Sequence, residues 1–311
     1  MTGLVPRLAL GLALSACIGF LAWRRQTLSQ SGIVGAIVVG TLLFGFGGVS
    51  AGLLLIAFFV SSSSLSKYGA RRVSKVSAMQ FYDKSGNRDI WQALANGGCA
   101  ALLAVAHAAF LDVNEPVAFM LYAGFIGALA TATADTWATE LGVLGGQSPR
   151  MITNLRLHVP PGTSGAVSIA GTIASVAGAL FIGVAFAAFT TIDGLLFPLA
   201  LHTQWLGNVY FSILHTNWFG LAPSGIAVFV IAAVASGSLG SAFDSLLGAT
   251  CQALYRPAPG LQLTEKRSAA DGSPNELLRG WRSMTNDSVN FLSTVAGALI
   301  AMFIFVLFVF L

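Results

Sequence analysis

Long apolar runs fill most of this chain, and each is bounded by charged residues or by clusters of Gly, Pro, Asn and Asp. Crossing a hydrocarbon core of ~30 Å takes about 20 apolar residues in a helix. Runs of that order fall at roughly 5–23, 31–46, 49–65, 90–111, 117–140, 164–188, 223–250 and 289–311. They predict an all-α fold, a polytopic transmembrane helix bundle of about eight spans forming one integral membrane domain. The second and third runs are split only by "GFGGVS", which reads as a tight Gly turn. Segment 190–222, with its aromatics, Pro198 and Asn/His content, reads as interfacial or re-entrant, an extra pair of short helices being the alternative.

The basic residues give an independent test of this parsing, because Lys and Arg accumulate in cytoplasmic loops. Arg24 and Arg25 follow the first run, Lys67 to Arg88 the third, Arg150 and Arg156 the fifth, and Arg256 to Arg282 the seventh. The alternate loops hold only Asp112, Glu115 and Asp193, and Arg7 near the N-terminus is the exception. Both termini are therefore expected on the non-cytoplasmic side, in a bacterial plasma membrane or an organelle membrane. Composition agrees with a lipid setting: 55 % hydrophobic residues, 9 % charged, and a mean hydropathy of +0.78. The formal net charge of +4 follows from the loop asymmetry, so no nucleic-acid partner is expected.

The N-terminal "MTGLVPRLALGLALSAC" imitates a secretory or lipoprotein signal, but apolar sequence continues through "IGFLAW" to Arg24 and Arg25, which predicts a retained first span. Cys17, Cys99 and Cys251 are too scattered for a disulfide framework or a zinc site, and the four histidines show no metal-ligand spacing.

Ionisable residues inside a span are costly, at least ~2.5 kcal/mol, and they face a cavity or a partner. Asp135 in "GALATATADTWATELG" and Asp244 in "ASGSLGSAFDSLLGAT" are the deepest, both near the expected cytoplasmic end of runs rich in small residues. Further polar residues recur at helical spacing on the same side. Arg88, Gln92 and Asn96 are four apart, as are Ser63, Lys67 and Arg71, and Asn286 and Asn290 flank Asp287. In "VPPGTSGAVSIAGT" Thr163 and Ser164 follow two prolines and a glycine and are expected to cap the next span, whose free N–H groups would form an anion site. Arg150 and Arg156 share that loop. Together these suggest phosphate held by cations and a helix start, with carboxylates bringing Mg²⁺. No G-x-x-x-x-G-K-[ST] occurs, which excludes a P-loop. The plainer reading makes the cations a topology signal, the amides interhelical glue and Thr163/Ser164 a structural cap. Glu140 stands about 140° around an ideal helix from Asp135, so the two need not share a ligand.

Six blocks in this order, "SSSSLSKYG", "WQALANGG", "ADTWATELGVLGGQSPRMIT", "VPPGTSGAVSIAGT", "GSLGSAFDSLLGATCQ" and "TNDSVNFLS", resemble a family of polytopic membrane proteins. That family includes the phytyl-phosphate kinase of plant and cyanobacterial tocopherol synthesis and animal transmembrane protein 19. The resemblance implies transfer of a phosphoryl group from a nucleoside triphosphate, CTP ahead of ATP, to phytyl or another isoprenyl monophosphate. Carried over, the family pattern selects Lys67, Arg88, Gln92, Asn96, Asp135, Glu140, Arg150, Thr163, Asp244, Asn286, Asp287 and Asn290. Asp135 and Asp244, with Glu140 or Asp287, would hold Mg²⁺; Lys67, Arg71, Arg88, Gln92, Asn96, Arg150, Thr163, Ser164, Asn286 and Asn290 would hold phosphate and nucleotide. The sequence departs from the family at Asp89, where an amide is expected, and at Pro161, which is basic in the plant branch; "FDSLLGAT" is closer to the animal branch. A transporter or scramblase of a phosphorylated lipid or small anion is the alternative use of the same cluster, and a non-catalytic scaffold is a third.

Overall fold

The computed structural model describes residues 4–69, 87–145, 148–196, 225–257, 263–269 and 271–310. Eight helices run through them: α1 (Leu4–Arg24), α2 (Gln30–Phe46), α3 (Gly48–Gly69), α4 (Ile90–Phe110), α5 (Glu115–Gly142), α6 (Ile169–Leu196), α7 (Gly225–Thr250) and α8 (Asn286–Phe310). Seven are long and apolar enough to cross a membrane, and α2, at 17 residues, is the shorter eighth. The expected polytopic helix bundle is thus the observed one. The "GFGGVS" turn does separate two helices: Gly47 caps α2, and Gly48 opens α3 at φ 82°, a conformation that costs glycine little.

The sixth expected run, 164–188, needs correction. The helix there begins at Ile169 and continues to Leu196, taking residues 190–196 out of the segment expected to be interfacial; the remainder of 190–222 lies outside the described residues. The late start has its cause in the backbone before it and in strand pairing. Gly165 has φ +82°, and the next two residues form a strand instead of a helical turn. The short strands β1 (Arg150–Met151), β2 (Asn154–His158) and β3 (Ala166–Val167) make an antiparallel sheet in the order β2-β1-β3. A second pair, β4 (Leu254–Arg256) and β5 (Glu276–Arg279), stands between α7 and α8. Neither patch has a hydrophobic period long enough to be read from sequence.

Helix starts are set by side-chain caps. Ser29, Asp89, Asn114 and Ser168 each accept a hydrogen bond from the backbone N–H three residues on, at 2.9–3.2 Å. Asp89 is therefore the N-cap of α4, a role open to acid and amide alike.

The bundle is organised around α5. In α5, 83 % of the apolar window is buried, against no more than 44 % in any other candidate span, and it packs on α3, α4, α6, α7 and α8. Toward its N-terminus the core is aromatic: Tyr122 meets Phe125, Phe186 and Phe229, and Phe119 stacks near Phe305. His107 is buried against Tyr122 with Nδ1 2.8 Å from the Ala118 carbonyl, which makes it structural, as its lack of ligand spacing suggested. Toward the C-terminus the contacts narrow to small residues. A Cβ on Gly127 would stand 2.5 Å from Ala301 Cβ and 2.7 Å from the Gly297 carbonyl. Gly127→Leu is expected to destabilise the detergent-solubilised protein by about 1–3 kcal/mol through overpacking, read by thermal unfolding. Gly98→Ala, where a Cβ meets only Leu94 at 4.0 Å, should leave stability unchanged or raise it by up to about 1 kcal/mol.

Candidate functional site

At the end of the bundle where the basic loops lie, the helices part around a cavity of about 790 Å³. Its wall is built from the C-terminal ends of α3, α5 and α7 and the N-terminal ends of α4, α6 and α8. Every Lys and Arg among the described residues except Arg7 is at this end. Of the candidates named from sequence, Lys67, Arg88, Gln92, Asn96, Asp135, Glu140, Thr163, Ser164, Asp244, Asn286, Asp287 and Asn290 all line this one cavity. The reason is directional: α4 and α8 enter where α3, α5 and α7 leave, so residues near opposite helix ends arrive at one level.

Asp135 and Asp244 sit on the adjacent helices α5 and α7, close enough to interact electrostatically. Ser241 Oγ donates to Asp135 Oδ1 at 3.4 Å, whereas Asp244 Oδ2 is buried with no hydrogen-bond partner among the described residues. Two neighbouring half-buried carboxylates, one with a buried, orphaned oxygen, fit a hard divalent cation, and Mg²⁺ in phosphate sites commonly takes one or two carboxylates and fills the rest of its shell with phosphate and water. Among the described residues no group of three His, Cys, Asp or Glu has metal-binding geometry. The expected third ligand, Glu140 or Asp287, is thus not assembled with the pair. Glu140 instead accepts from Ser66 Oγ at 2.6 Å and lies within electrostatic reach of the Arg88 guanidinium.

Arg88 is fixed by its backbone: its N–H donates to the Thr27 carbonyl at 3.1 Å, and its carbonyl accepts from Ser29 N–H at 3.0 Å. Burial lowers the guanidinium from its ordinary value, and the Glu140 carboxylate opposes that shift; an arginine remains charged under such conditions. Lys67 Nζ donates to the Arg25 carbonyl at 2.8 Å, which ties the end of α3 to the end of α1. Arg71 lies outside the described residues. Arg150 is not on the cavity wall; it sits on β1 and donates to the Leu155 carbonyl at 3.0 Å. The phosphate role expected of it is not supported by this placement.

Thr163 and Ser164 line the cavity but cap no helix. Thr163 Oγ1 donates to the Pro160 carbonyl at 2.8 Å, and Ser164 Oγ to Glu265 Oε1 at 2.6 Å. The real start of α6, with Ser168, Gly171 and Thr172, opens onto the same cavity, so the helix start expected at Thr163 and Ser164 lies about one turn downstream. Glu265 is the residue that sequence reading missed. Its Oε1 also accepts from Gln252 Nε2 at 2.7 Å, which links the end of α7 to the Ser164 loop. It stands among basic residues in a segment that reads only as a positive loop, and the sole signal for Gln252 was its place just after the Asp244 helix. Glu265→Ala is expected to speed amide exchange in 159–167 and 263–269 and to cost about 1–3 kcal/mol, since it strands two donors. Exchange measured by mass spectrometry would show no change there if this clamp were slack.

A polytopic membrane protein with an acid-bearing polar cavity at its basic-loop end is the class that fold and site define. Within that class the chain belongs to the family described as Integral membrane protein DUF92, which matches residues 13–298. It is similar to Protein PGR of Arabidopsis thaliana, 30% identical over 295 residues covering 92% of this chain and 92% of that one. An uncharacterized membrane protein of Methanocaldococcus jannaschii is 25% identical over 299 residues, covering 96% of this chain and 94% of the relative. Protein VTE6, chloroplastic, of Arabidopsis thaliana is 31% identical over 156 residues, which is 50% of this chain and 45% of the relative. No solved structure matches.

Proposed function

We propose that the cavity is the active site of a membrane-embedded kinase that transfers the γ-phosphoryl group of a nucleoside triphosphate, CTP ahead of ATP, to phytyl or another isoprenyl monophosphate. The observation that carries this reading is the meeting of two half-buried acids, Asp135 and Asp244, with Arg88 and the start of α6 around one cavity at the end of a membrane bundle. The resemblance of the sequence blocks to the family containing phytyl-phosphate kinase supports it. The basic loops around the cavity make the cytoplasm the side from which nucleotide enters.

In the reaction an oxygen of the isoprenyl phosphate forms a bond to the γ-phosphorus, and the bond from that phosphorus to the β-bridging oxygen breaks. The attacking phosphate is already ionised at neutral pH, so the site needs no strong general base, and its work is positioning and charge neutralisation. Asp135 and Asp244 would hold Mg²⁺, and the ion would supply charge neutralisation for the phosphoryl oxygens. Arg88, kept near Glu140 by its fixed backbone, and Lys67 draw the phosphates in. Gln92, Asn96, Asn286 and Asn290 offer amide donors at the same level, and Asp287 adds a carboxylate at the start of α8.

Detergent-purified protein given geranylgeranyl or phytyl monophosphate, Mg²⁺ and CTP or ATP should form the diphosphate. Asp135→Asn should lower turnover by at least about a hundredfold while the variant keeps its fold. Mg²⁺ with nucleotide should raise the unfolding temperature of the wild type through linkage. Stabilisation by the lipid phosphate with no product from any donor would favour the transport of phosphorylated lipid instead. Full activity in Asp135→Asn would remove that residue from the site.

A further inference from the structure

A second, smaller cavity of about 80 Å³ lies between α1, α2, α3 and α4. Ile18, Ala36, Leu55, Ile56, Phe58 and Phe59 form its apolar wall. Arg88, Gln92 and Asn96 line both this cavity and the large polar one, so the two meet at the start of α4. The Arg88 guanidinium carbon stands 5.6 Å from the Phe58 ring centroid and 5.9 Å from that of Phe59. One side of this cation therefore faces aromatic hydrocarbon, and its other neighbour is the acid-lined cavity with Glu140.

From this junction we infer that the α1–α4 groove seats the phosphate-proximal part of the isoprenyl chain, with Arg88 at the groove mouth holding the phosphate. This rests on the kinase reading for its substrate class. The shape of the ligand follows from the walls: an anion joined directly to a branched hydrocarbon satisfies a half-buried cation on one side and an apolar groove on the other. Apart from Ser15 and the three shared residues the lining carries no polar side chain, which suits neither nucleotide nor a free ion. Close packing shuts the floor, since a Cβ on Gly97 would stand 2.7 Å from Val39 Cγ1. Toward the outside Ile18, Leu55, Ile56 and Phe59 are half-buried, so the distal chain continues into lipid between α1 and α3.

The groove is tested by narrowing it away from the phosphate. Ala36→Leu does so in the middle of α2, and Ile56→Trp does so from α3, which keeps the test alive if one variant fails to fold. Purified full-length wild type and variants are assayed with Mg²⁺ and CTP against geranylgeranyl monophosphate and methyl monophosphate, a short substrate with no isoprene unit to enter the groove. KM for the long substrate should rise about tenfold, as expected when about two buried methylenes are displaced, with kcat and the short-substrate constants unchanged. Equal KM changes for both substrates, or none in folded variants, would overturn the groove assignment. Absence of turnover by the wild type would count against the kinase reading, and the groove is then decided by binding. A thermal shift larger with geranylgeranyl monophosphate than with inorganic phosphate, and reduced in Ala36→Leu, would support it; a shift independent of the chain would end it.

Discussion

Everything in this molecule depends on α5 being buried by neighbours on nearly every side. A helix enclosed in that way can be approached closely only if its side chains are small, and from Ala123 to Ala134 they are mostly Ala, Gly and Thr. Without a hydrophobic drive between helices in lipid, such close contact and interhelical hydrogen bonds hold the bundle. The bond from Thr131 Oγ1 to the Ser236 carbonyl at 3.2 Å lies on the seam between α5 and α7. That seam continues directly to Asp135 and Asp244, so the packing that stabilises the core also sets the separation of the two acids.

The polarity of the bundle divides along the same axis. Aromatic rings fill the half near Tyr122, and about 20 Å further on, thirteen residues at 1.5 Å rise, the walls carry carboxylates, amides and hydroxyls. Desolvating acids is expensive, and the arrangement offsets the cost by setting Arg88 within electrostatic reach of Glu140 and by leaving the acids near helix ends that open onto the cavity. The β1–β3 patch contributes Leu155, Ala166 and Val167 to the cavity wall, and Glu265 ties Ser164 to Gln252.

The fold was largely legible because its signal is redundant. Apolar length and the alternation of basic loops each specify the same helices, and both survive local irregularity. Asp135, Asp244, Arg88, Gln92 and Asn96 could be found because a polar residue in an apolar run stands out and helical spacing groups its neighbours. Thr163 and Ser164 were found for the wrong reason. They look like caps, yet Gly165 turns left-handed and the chain pairs with β1 before α6 begins, a long-range choice that no local pattern reveals. Glu265 was invisible for a related reason: its partners are 13 and 101 residues away, and nothing in a charged loop announces such contacts. Arg150 satisfied the charge rule, but a hairpin carbonyl claims its guanidinium.

The order in which the acids enter the membrane follows from their positions in the chain. Asp244 is 109 residues after Asp135, the difference of their numbers, so at about 5–20 residues per second α5 waits roughly 5–20 s for α7 during synthesis. Through that interval Asp135 lacks Ser241 as a hydrogen-bond partner. It lies seven residues before Gly142, the end of α5, or about 10 Å along the axis, within reach of the headgroup region. An acid at that depth can remain hydrated until its neighbour arrives, whereas the same acid beside Tyr122 would have to be inserted dry. The nearness of the site to the membrane surface thus makes the bundle buildable in the order in which it is translated.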